Sequence, residues 1–182
     1  ASADALRIAD NVLLFQRHTG GWPKNLDMAA ALSDADRARL TADKKLDDST
    51  IDNGATTTQL QFLAQAFAAS REDRLRAPLL AGVDYLLAAQ YPNGGWPQYF
   101  PLRADYSRHI TVNDDAMARV LTLVGSVADG RAPFDWIDTA RRTRAADAVR
   151  RGHQVILKTQ ILVNGRPTGW CQQHDAETLR PV

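Results

Sequence analysis

The residues best suited to chemistry are acidic and fall in two short runs, Asp52-Asn53-Gly54-Ala55 and Asn113-Asp114-Asp115-Ala116. Each run stands directly before an apolar segment of helical period. Asp and Asn are good helix N-caps, and capping is the plainer reading of either run alone. Adjacent Asp114 and Asp115 cannot both be the cap, so one carboxylate is spare. Oxygens drawn from two such helix starts are what a hard cation such as Ca²⁺ takes, although the spacing alone specifies no metal. Lys24 follows Trp22-Pro23 and has no counterpart in the related loops, where Gln98 and Gln172 stand. A lone lysine is usually a surface residue, yet an ammonium here suits an acidic sugar. His109 and His174 lie near helix starts too, but no His-x₃-His or Cys-x-x-Cys spacing supports zinc. There is no phosphate-binding loop, no Gly-x-Gly-x-x-Gly and no nucleophile elbow.

These residues are held by a repeat. Trp22, Trp96 and Trp170 are 74 residues apart, and each follows a glycine: Gly21, Gly95 and Gly169. Each loop follows a helix-periodic stretch ending in glutamine: Gln16, Gln90 and Gln160. After each loop comes an acidic helix start, at Asp52, at Asp114 or Asp115, and at Asp175. One helix pair cannot bury its own apolar face, so such units stack or close into rings. The glycine is expected to supply positive φ on leaving the helix. The tryptophan is expected to plug the gap between helices, because one groove rarely needs three equivalent stacking platforms. Apolar stripes predict helices through Ala5–Phe15, Ala55–Ser70, Leu79–Gln90, Ala116–Val124 and Ala145–Gln160. One short helix is expected after Ser33, inside the irregular stretch from Met28 to Asp48. A hairpin is expected at Asn164-Gly165. The fold class is therefore mostly α, with repeated helix pairs and long irregular loops.

Composition narrows the function classes. A formal charge of +1 makes no strong case for nucleic acid, and the arginines of 141–151 read as a solvated helix face. No apolar run approaches the roughly 20 residues of a membrane span. Cys171 is the only cysteine, which precludes an internal disulfide. The third unit stops at Leu179-Arg180-Pro181-Val182. We therefore expect residues 1–182 to be the N-terminal part of one catalytic domain, its remainder missing or on another chain.

Five motifs, taken in order, resemble the family 10 pectate lyases. They are Gly20-Gly21-Trp22-Pro23-Lys24-Asn25, Ser49-Thr50-Ile51-Asp52-Asn53-Gly54-Ala55-Thr56, Tyr91-Pro92-Asn93-Gly94-Gly95-Trp96-Pro97-Gln98, His109-Ile110-Thr111-Val112-Asn113-Asp114-Asp115-Ala116 and Trp170-Cys171-Gln172-Gln173-His174-Asp175. The resemblance spans essentially the whole chain. It implies an incomplete α/α toroid and a secreted, Ca²⁺-dependent enzyme that cleaves polygalacturonate by β-elimination. It implies catalytic roles for Asp52 and Asp114, with Asp52, Asp114 and Asp115 serving the metal. Lys24, Asn53 and Arg108 are the candidates for binding uronates. The family's base is an arginine, expected beyond Val182, with Arg180 the nearest here. A monomer is expected, in association with its own C-terminal fragment if the chain is divided, with no nucleic-acid or membrane partner. Two other readings stand beside this one. The Gln-Trp repeats also resemble triterpene cyclases, although the acidic Asp-x-Asp-Asp signature is missing, and a non-catalytic module binding acidic glycans would keep the same acidic runs.

Overall fold

The computed structural model describes residues 1–182. Six α-helices carry the fold: α1 (Ala3–Phe15), α2 (Asp34–Asp43), α3 (Thr57–Ser70), α4 (Arg76–Ala89), α5 (Ala116–Ala128) and α6 (Thr139–Thr159). The sheet content is slight. Strands β1 (Ile110–Thr111) and β4 (Gln173–His174) pair antiparallel, as do β2 (Leu162–Val163) and β3 (Arg166–Pro167). The mostly helical class and the five long helices are as expected, and α2 fills the predicted place after Ser33. Its start is a capping box, with Ser33 accepting from the Asp36 amide and Asp36 reaching back to the Ser33 amide. The β2–β3 hairpin turns at Asn164 and Gly165, both at positive φ, as a two-residue primed turn demands.

The helices pack through one apolar cluster that includes Trp22, Leu60, Leu79, Leu86, Trp96, Val120 and Val155. The arginines of α6 lie on an outer face and carry ion pairs there, with Arg144 and Arg150 more than half exposed. Arg141 and Arg144 reach Asp84 of α4, and Arg150 and Arg151 reach Asp147. Beneath them, Ala145, Ala148, Gly152 and Val155 are buried.

The repeat is visible atom by atom. Each of α1, α4 and α6 ends on a glutamine in extended conformation. The Gln16 amide donates to Gly20 O and Pro78 O, and the Gln90 amide to Gly94 O and Ala148 O. The Gln160 amide donates to Thr168 O. The indole N–H then returns to the preceding helix: Trp22 to Val12 O, Trp96 to Leu86 O, and Trp170 to Ile156 O. Trp22 and Trp96 are wholly buried, so the expected plug role holds for them. Each lies against a glycine of the next unit's helix, Gly82 of α4 and Gly152 of α6. Trp170 is 41% exposed, with no such helix over it.

One expectation about the glycines needs correcting. Positive φ belongs to the first glycine of each pair, Gly20 (94°) and Gly94 (103°). Gly21 and Gly95, which precede the tryptophans, are glycine for lack of room. A Cβ on Gly21 would lie 2.8 Å from the Ser49 Cβ, and one on Gly95 would lie 2.5 Å from Ile110.

Candidate active site

The acidic runs do not cap their helices with side chains. Asp52-Asn53-Gly54 and Asn113-Asp114-Asp115 each form a single 3₁₀ turn ahead of the helix, and no side-chain cap is made at α3 or α5. The two turns adjoin and share one conformation. Ile51 and Val112 enter at φ near −100°, and Asn53 (51°, 30°) and Asp114 (53°, 31°) are left-handed. Asp52 therefore occupies the place of Asn113, and Asn53 that of Asp114. Thr56 also sits at φ 64°, which is costly for a β-branched residue. Its hydroxyl donates to Thr50 O and accepts from the Trp22 amide, which holds it there.

Backbone bonds set the turns against the tryptophan loops. The Thr50 amide donates to Trp22 O and the Ile51 amide to Gln98 O; the Thr111 amide donates to Trp96 O and the Val112 amide to Gln172 O. Each turn is thus fastened to its own loop and to the next one. This fastening brings the side chains after Trp-Pro to Asp52. Lys24 pairs with Asp52 Oδ2, and the Gln98 amide donates to the same oxygen at 2.6 Å. Asp52 is 3% exposed, and its Oδ1 is buried with no hydrogen-bond partner. Asn53 donates to Asn25 Oδ1 at 3.0 Å. The hydrogen bond that Lys24 donates to Asp52, more than the carboxylate's charge alone, raises the Lys24 ammonium above its ordinary pKa, against a smaller effect of burial. Lys24 also lies 5.8 Å from the ring centre of Tyr99.

Asp114 accepts from the Asn113 amide at 2.8 Å, while the Asn113 Oδ1 is buried and unpartnered. Asp114 and Asp115 are exposed. Asp52, Asp114 and Asp115 do not gather into a three-carboxylate cluster able to hold a metal. The reason is local: Asp52 is drawn inward onto Lys24 and Gln98, while the other two face solvent. The unpartnered Oδ1 atoms of Asp52 and Asn113 and the exposed Asp114 carboxylate are of the donor type a hard cation takes. They are oxygen donors only, and fewer than the roughly six to eight a calcium shell needs.

Beside Lys24 and Asn53 lies a hollow of ≈ 290 Å³, floored by Pro23, Asn25 and Gly54. A second, of ≈ 550 Å³, runs between α3 and α5 from Asp115 past Arg119 and Gln61. Arg108 lines neither. It borders a third hollow with Tyr91, His109 and Asp175, where His109 stands 3.9 Å from Asp175. The structure therefore brings Lys24, Asn53 and Asp52 together beside Asp114 and Asp115, and sets Arg108 apart. Gln98, Asn25 and Asn113 belong to the site and went unrecognised in the sequence. The equivalence of Gln98 with Lys24, two residues after each tryptophan, was the signal that pointed there.

The pectic acid lyase family matches residues 16–182. The chain belongs to that family. Two solved structures align with 97% of it at 38% identity. One is an Asp-to-Ala mutant of the family 10 polysaccharide lyase from Cellvibrio cellulosa in complex with trigalacturonic acid, with a TM-score of 0.88. The other is the family 10 polysaccharide lyase from Cellvibrio cellulosa, with a TM-score of 0.83. Residues 1–182 span about half of these relatives, 53% of each solved chain. Comparison with curated proteins gives no match. Membership in the pectic acid lyase family sets the cyclase reading aside, and the glutamines have their own task as ties between helix ends and neighbouring carbonyls. No helix is long and apolar enough to cross a membrane.

Proposed function

We propose that this chain forms the metal- and substrate-holding half of a calcium-dependent pectate lyase, which cleaves polygalacturonate by β-elimination. The observation that carries the reading is Asp52: a buried carboxylate with one oxygen free, set between Lys24 and Gln98 and beside a second turn of the same shape. A carboxylate used only for structure has little reason to leave a buried oxygen unpartnered.

In β-elimination the proton α to a uronate carboxylate leaves, the bond to the β-glycosidic oxygen breaks, and a carbon–carbon double bond forms. Negative charge builds on the carboxylate as the proton departs. Bound calcium, held by Asp52, Asn113 and Asp114, with Asp115 at the rim, would offset that charge. Lys24 and Gln98 fix the rotamer of Asp52, so that its free oxygen keeps one direction. Lys24 and Asn53 face the adjoining hollow, where a neighbouring uronate can be gripped. Arg108, which lines a separate hollow, serves a more distant unit of the polymer. The base is an arginine in the part of the family fold that these residues do not span. The polymer is too large to enter a cell intact, so a secreted enzyme fits this reading.

The test is the ultraviolet absorbance of the unsaturated product, measured with the full-length protein, polygalacturonate and calcium at alkaline pH. A steady rise that depends on calcium is expected. A flat trace from the folded protein would dismiss the lyase reading in favour of a glycan-binding module.

A further inference from the structure

Four residues form a connected line: Asp52, Lys24, Tyr99 and Arg103. Lys24 pairs with Asp52 and lies near the Tyr99 ring. The Arg103 guanidinium stacks on that ring, its central carbon 3.5 Å from the ring centre. Tyr99 is not free to wander. Its backbone bridges Thr50, two residues before Asp52, and the Phe100 amide donates to Ser49 O. Arg103 is half-buried, yet its guanidinium makes no hydrogen bond and no ion pair. Asp105 is already engaged by the Ser107 hydroxyl and amide, which, helped by the Arg103 charge, hold its carboxyl below its ordinary pKa.

Stacking uses the faces of a guanidinium and leaves its N–H edges in the plane. Those edges match both oxygens of a carboxylate. An arginine kept in one orientation also loses less rotamer freedom on binding. Lys24 cannot play this part fully, because its charge is already matched by Asp52.

We propose that Arg103, held on Tyr99, is a uronate-carboxylate subsite, which grips a galacturonate unit further along the chain from the Asp52 turn. It rests on the lyase reading, but its own signature is distinct. The subsite favours free carboxylates over methyl esters, since an ester offers no bidentate anionic edge. It acts on polymer binding and not on proton removal.

The experiment compares the full-length enzyme with Arg103→Gln, which keeps a planar group over Tyr99 without the charge. KM for polygalacturonate is expected to rise about tenfold, equivalent to about 1.4 kcal/mol, with kcat within about twofold. Discrimination between free and partly methyl-esterified polymer should shrink alongside it. Arg103→Lys should recover only part of the affinity, because a point charge cannot grip both oxygens. Should Arg103→Gln melt early, Arg103→Lys alone decides, by a smaller rise in KM with kcat unchanged. An unchanged KM, or a fall in kcat alone, overturns the subsite. If the wild-type enzyme eliminates nothing, the lyase reading fails by itself. Calorimetry with trigalacturonate then decides the subsite: weaker binding by Arg103→Gln upholds it, and equal binding overturns it.

Discussion

At the scale of single residues, Asp52 concentrates the interactions that matter. Replacing it with Asn keeps the shape and an acceptor for Gln98 but removes the charge. We expect Asp52→Asn to lower kcat/KM by about 10²–10³-fold, the size of losing one preorganised electrostatic partner, while Tm moves by no more than about 4 °C. A small kinetic effect, or collapse of the fold, would mean that Asp52 is structural. Lys24 gives a pH-dependent test. Asp52 raises its pKa above the ordinary lysine value of 10.5. A raised folded-state pKa contributes stability that is present in full below 10.5 and is lost as pH climbs through the raised value. Wild type should therefore outlast Lys24→Met in urea at pH 8, and the gap should close in strongly alkaline buffer. A gap that widens with pH would contradict this pairing. Sequence alone exposed Asp52 and Lys24 as unusual but not as partners, since they are 28 residues apart and joined only by the folded loops.

At the scale of elements, the joint between a tryptophan loop and the next helix sets the packing. A Cβ on Gly152 would lie 2.5 Å from Leu121 Cδ2 and 3.0 Å from Trp96 Cζ3. Overpacking of this kind costs about 1–3 kcal/mol, and better helix propensity returns up to about 1. Gly152→Ala should thus lower Tm by a few degrees. Gly94→Ala should cost more, because the Arg151 carbonyl oxygen lies 2.2 Å from the added Cβ and φ is 103°. Gly125 of α5 has nothing within 4 Å, so Gly125→Ala should raise Tm slightly. Thermal melts of the three variants give the order directly, and any other order would refute this account of the joints. The helices were legible in the sequence because their apolar stripes run at 3.6-residue period, and the loops because Gly-Trp recurs. The 3₁₀ turns were not. Asp52 and Asp114 look like caps by type, and only left-handed Asn53 and Asp114 show otherwise. The β1–β4 pairing was hidden too, since two-residue strands carry no period.

At the scale of the whole molecule, the site lies where successive units meet and belongs to no single unit. Asp52 comes from the first unit and Gln98 from the second, and the twin turns face each other across that boundary. Within residues 1–182, no three His, Cys, Asp or Glu side chains gather to hold a metal ion. Chelation should therefore leave the melting temperature of the substrate-free protein within about 1 °C, and calcium should bind tightly only when a uronate is present. Calorimetry with and without trigalacturonate checks this, and a large fall in Tm with chelator would show a structural ion instead. The links between units run through main-chain amides and carbonyls, from Thr50 to Trp22 and Ile51 to Gln98, and from Thr111 to Trp96 and Val112 to Gln172. Main-chain links are indifferent to the side chain two places after each tryptophan. That position holds lysine in the first unit and glutamine in the next two. The scaffold thus offers a row of interchangeable sockets, in which charge can be moved from one station to the next without reshaping the frame that carries it.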